Sequence, residues 1–100
     1  MYLVVTCVKL KPNSHEAIAS LFKEASPDLM DREKDWLHAQ LAYESGTGVV
    51  TVLERWRDLS SYEHMKCTLR YKHFERKFSE FWAAPPKVTK SEFLAELDHP

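Results

Sequence analysis

The sequence predicts an α+β fold of order β-α-β-β-α-β, and three observations carry that prediction. The chain opens on a Val-rich run, its middle holds two apolar runs joined by the only two glycines, and its second half carries an aromatic seam at helical spacing. One hundred residues bury one hydrophobic core but not two, so a single domain over residues 1–100 is expected.

YLVVTCVKLK, residues 2–11, reads as a first strand, stopped by Pro12. Asn13 followed by Glu16 reads as a capping box ahead of Ile18, Leu21 and Phe22, which predicts a helix to about Ser26; Ser26-Pro27 then opens a further short turn. WLHAQLAYE (36–44) alternates, with Trp36, His38, Gln40 and Ala42 on one face and Leu37, Ala39, Leu41 and Tyr43 on the other. Ser45-Gly46-Thr47-Gly48 turns the chain into VVTVLERW (49–56), making a hairpin. Asp58, or Ser60 with Glu63 in a second capping box, starts one helix running to about Phe81, with Cys67, Tyr71, Phe74, Phe78 and Phe81 on its seam. AAPP (83–86) ends that helix, and KVTKSEFLAEL supplies the last strand.

This order, with its only short connection between the middle strands, is the split βαβ arrangement of a ferredoxin-like antiparallel sheet. Both helices then cover one face. With Trp36, Ala42, Val50 and Val52 on either of its sides, the sheet has apolar surface left over that a 100-residue monomer cannot hide, so a homodimer joined through the other face is expected.

Fourteen Lys+Arg balance fifteen Asp+Glu, for a formal charge of -1, which gives no field for nucleic acid or an anionic membrane. The basic surplus on the second helix reads as a solvated face. The N-terminus has no basic region and no small-residue cleavage site, and no apolar run reaches spanning length, so a cytoplasmic protein is expected. Cys7 and Cys67 lie far apart, signalling neither a disulfide framework nor a zinc knuckle. Phosphate loops, HExxH, a nucleophile elbow and a paired-carboxylate motif are all missing from the sequence, so hydrolase and nucleotide-dependent readings have no support.

The strand VVTVLERW, followed by DLSSYEHM, RYKHFERKF and a Pro-bounded last strand, resembles the antibiotic biosynthesis monooxygenase family over nearly the whole chain. The resemblance implies a dimeric α+β barrel with a pocket between helices and sheet. For some members it also implies oxidation of quinol-like or polyketide aromatics by O2 with neither metal nor flavin. The haem-degrading branch places an Asn on the first strand, a Trp on the second helix and a His further along it. Here those positions fall at Thr6 or Cys7, at His64 or Met65, and near Glu75, with His73 the nearest histidine, so haem capture is disfavoured.

Oxygenation without a cofactor needs an apolar pocket, a base for a phenol and exclusion of water. His64 is the first candidate base, and Trp56 the candidate wall and orienting group; Thr6, Cys7, Trp36, His38, Tyr71 and Phe74 are candidate ligand contacts. Each has a plainer reading: His64 as a solvated residue over the strand–helix junction, Trp56 as core or dimer interface, the aromatic seam as core. Glu54 shares a face with Val52 and Trp56 and needs a partner, for which an Arg or Lys of a second subunit would serve. A non-catalytic dimer that binds a small molecule, or acts as an interaction module, is the competing function.

Overall fold

The computed structural model describes residues 1–100. Its elements are β1 (Tyr2–Lys9), α1 (His15–Asp31), β2 (Trp36–Glu44), β3 (Val49–Trp56), α2 (Leu59–Lys66), α3 (Leu69–Ser79) and β4 (Lys87–Glu92). The four strands form one antiparallel sheet in the order β2-β3-β1-β4, the ferredoxin-like order.

Register decides which side chains meet the helices. Tyr2, Val4, Thr6 and Val8 of β1 pair with Trp56, Glu54, Val52 and Val50 of β3, and all of these point to the helical side. Two clusters form there. One joins Val4, Trp36 and Trp56 to Leu29, Tyr62 and Met65 of the helices; the other joins Val8, Leu10 and Val50 to Ile18. The row between them, Thr6–Val52–Leu41, carries smaller side chains and separates the two.

Four local expectations are corrected. A β-bulge between Trp36 and His38 adds one residue to β2, so Trp36 joins Ala39, Leu41 and Tyr43 on the helical face while His38 and Gln40 lie on the opposite one. α1 continues through Pro27 to Asp31, because only a continued helix brings Leu29 into the core around Trp56, and that burial offsets the lost Pro27 N–H bond. The expected Asn13–Glu16 cap is absent. Asn13 takes a left-handed φ of 61° and α1 starts at His15 after Ser14, whose side chain makes no cap bond. The single long second helix is two. Asp58 caps α2 by accepting from the Ser60 N–H at 3.1 Å, and Thr68 starts α3 by accepting from the Tyr71 N–H at 3.1 Å while donating to the Met65 carbonyl at 2.7 Å.

The last strand also ends sooner than expected. Glu92 already pairs with Tyr2, the first residue of β1, so an edge strand whose only neighbour has run out cannot continue to Leu97. Leu94 and Leu97 are 95% and 97% exposed.

Because the Thr68 cap sets the direction in which α3 leaves α2, Thr68→Ala should cost about 1 kcal/mol, read as a lower urea midpoint at unchanged slope. Thr68→Ser, which keeps the hydroxyl, should recover most of it.

Candidate functional site

The gap between the two clusters is a cavity of about 90 Å³, open to solvent on one side. That is several times the room one water needs. Its floor is Thr6, Val52 and Leu41 of the middle row, with Val8 and Val50 at one end and Glu54 and Trp36 at the other. α1 contributes Ile18 and Phe22, α3 contributes Tyr71, Phe74, Glu75 and Phe78, and Trp82 closes the far end. The aromatic seam of α3 is thus only partly consumed by the core, since none of its residues is fully buried.

Two carboxyl groups face this apolar space. Glu54 lies on the central strand β3 and is 8% exposed. Its Oε1 accepts the Trp56 indole N–H at 3.3 Å, an i, i+2 contact on one face of the strand. Burial pushes its carboxyl up to about 7, against smaller opposing effects of the Trp56 hydrogen bond and the Lys66 charge. Glu75 lies on α3 near the surface, where its Oε2 accepts the Tyr71 hydroxyl at 3.2 Å and sits 4.0 Å from Lys66 Nζ. Burial, and then the Glu75 charge, hold the Tyr71 hydroxyl protonated well above the usual tyrosine range. Lys66 does not line the cavity. Its ammonium rests over the Tyr71 and Tyr62 rings at 4.9 and 5.6 Å.

Trp56 is fully buried behind the site. It stacks on Trp36 at 5.4 Å with 7° between the planes and meets Tyr62 edge-on at 5.5 Å. It touches Glu54 and not the cavity.

Of the residues expected at a ligand, Thr6, Trp36, Tyr71 and Phe74 line the cavity. Cys7 lies on the opposite face of the sheet, with its Sγ 3.7 Å from Thr51 Oγ1. His38 lies there too, exposed and bonded to Gln40 at 2.7 Å. His64 is exposed on α2 and contributes nothing to the lining. Glu54 and Glu75, 21 positions apart in sequence, were not expected to act together. The one available signal was Glu54 itself, a carboxylate among apolar residues of a central strand, and its partner proves to be Trp56 in its own chain.

The family model for antibiotic biosynthesis monooxygenases matches residues 1–77. No curated protein matches the chain. Among solved structures, three provisionally named antibiotic biosynthesis monooxygenases share the fold. The one from Bordetella bronchiseptica has a TM-score of 0.83 and 14% identity, over 94% of this chain and 97% of that one. The Caulobacter crescentus protein has a TM-score of 0.80 and 20% identity, over 94% and 90% of the two chains. The Nitrosomonas europaea protein has 0.78 and 16%, over 95% and 100%. Identities this low establish likeness of fold.

Proposed function

The chain belongs to the antibiotic biosynthesis monooxygenase family, and from that premise we propose that it binds a small, flat hydroxylated aromatic in the cavity and oxidises it with O2, Glu54 acting as the base. The observation that carries the reading is the setting of Glu54. It is a buried carboxyl group with one indole N–H as its hydrogen-bond partner, opening on an apolar cavity and titrating near neutrality instead of near 4.5. A base with that property is half ionised at neutral pH, where its proton-accepting power is greatest for its occupancy.

Glu54 takes a proton from the substrate and leaves an electron-rich phenolate or enolate against apolar walls, with the bound ring itself filling the open side against bulk water. For an anthrone-like ring CH2, the anion reduces O2 and a C–O bond forms at that carbon. The O–O bond then breaks, one oxygen stays as a quinone carbonyl, and the other leaves as water with the two hydrogens lost from carbon. Glu54 returns its proton during O–O cleavage and ends as it began. Tyr71 keeps its own proton on Glu75, so its oxygen is free to accept from a substrate hydroxyl. The base role thus moves from His64 to Glu54, and Trp56 acts by holding Glu54.

The test is O2 uptake across a panel of hydroquinones and anthrones, with quinone product measured beside it. With the anthrones, one O2 consumed and one water released per quinone carbonyl formed is expected. No acceleration over the buffer rate with any member would leave a binding protein and remove the oxygenase reading.

The proposal extends to assembly. Leu3, Val5, Val49 and Leu53 lie on the sheet face turned away from the helices and keep part of their surface exposed. A homodimer joined there is expected in sedimentation at micromolar concentration, and a monomer mass would contradict it.

A further inference from the structure

We propose that Glu75 makes the cavity selective for uncharged hydroxyaromatic ligands and against analogues that bear a carboxylate. The inference rests on the reading of the cavity as a hydroxyaromatic site and names the charge its ligand must have. The lining offers two carboxyl groups, Glu54 and Glu75, together with the Thr6 and Tyr71 hydroxyls, and not one Lys, Arg or His. An acid entering this space finds no cation to pair with, and an unpaired charge in a poorly hydrated site is costly.

The two carboxyl groups are held differently. Glu54 faces the Trp56 N–H from its own strand, Tyr62 and Lys66 from α2, and Tyr71 and Glu75 from α3; its charge varies with pH around neutrality. Glu75 is anchored by the Tyr71 hydroxyl and by Lys66, and lies nearer the surface. Lys66 lies outside the lining, over the Tyr62 and Tyr71 rings and 4.0 Å from Glu75 Oε2, the oxygen that also accepts the Tyr71 hydroxyl, so an incoming ligand meets the carboxylate before the ammonium. Donors fare better, because Glu75, the Tyr71 oxygen and ionised Glu54 all accept.

The test compares 1,4-dihydroxynaphthalene with 1,4-dihydroxy-2-naphthoate under anaerobic conditions, following quenching of tryptophan fluorescence, since Trp36 and Trp82 line the cavity. At about pH 6, where buried Glu54 keeps its proton and leaves Glu75 as the carboxylate under test, the naphthoate should bind at least about tenfold more weakly. Glu75→Gln, which keeps an acceptor for Tyr71, should close that gap to about threefold or less with an unchanged circular dichroism spectrum. Equal affinity for the two compounds, or a gap that Glu75→Gln leaves intact, overturns the inference and leaves the oxygenase reading standing. Discrimination without O2 consumption has the opposite effect. If neither compound binds, the inference falls, and O2 uptake across the panel decides the oxygenase reading.

Discussion

Replacing Glu54 with Gln is expected to make the protein more stable at alkaline pH while removing its turnover. The sign follows from the direction of the shift. Below about 4.5 the group is protonated in both the folded and the unfolded chain and costs nothing. Between 4.5 and about 7 the unfolded chain releases the proton while the folded one keeps it, so stability falls as pH rises. Above about 7 the folded chain carries a buried carboxylate, at a cost of at most about 3 kcal/mol. Glutamine keeps the shape and never ionises. The variant should therefore match the parent in acid and exceed it at mildly alkaline pH by up to about 12–24 °C in Tm, since 1 kcal/mol moves Tm by about 4–8 °C in a domain of this size. Calorimetry at the two pH values checks this, and parallel pH dependences in parent and variant would show that Glu54 is not the group responsible. A site that holds a destabilising charge at its working pH is what the base role requires.

Trp56→Ala should have the largest effect on folding. The side chain is fully buried and joins Trp36 and Tyr62 in one cluster with Val4, Leu29 and Met65. Its truncation should cost about 3–5 kcal/mol, a large part of the 5–15 kcal/mol typical of a whole domain. Urea denaturation gives the number. Trp56→Phe separates packing from chemistry, because it keeps a ring and deletes the N–H that favours the Glu54 carboxylate. Its acid limb in a pH–rate profile should lie above that of the parent, and an unmoved limb would mean that the Trp56 hydrogen bond does not tune Glu54.

Much of this architecture was legible in the residues. The Ser45–Gly48 turn between two apolar runs, the Val-rich first strand and the Tyr71–Phe74–Phe78 spacing are local signals, and the strand order follows from their sequence. What escaped depends on contacts between elements. Pro27 sits inside a helix because Leu29 has a core to reach, and Thr68 interrupts a helix whose seam looks continuous. The bulge after Trp36 adds one residue, and so puts the tryptophan and the histidine on opposite sides of β2 where simple alternation puts them on one.

The site was less legible than the fold for the same reason. Histidine draws attention as a base because its ordinary pKa already lies near neutrality. Glu54 acquires that property only by burial between two clusters, and Glu75 joins it only because Thr68 turns α3 back across the sheet. The first leaves one trace in the sequence, a carboxylate among apolar residues of a strand, and the second leaves none.

The central claim is that Glu54 is a base working near neutral pH inside this cavity, and its most direct test is the pH dependence of kcat/KM for O2-dependent oxidation of the best substrate in the panel. The account predicts a rate that climbs about tenfold per pH unit in acid and levels off above about 7, and a loss of at least about a hundredfold in Glu54→Gln. A flat profile through neutrality, or a Glu54→Gln variant that keeps its rate, would contradict it.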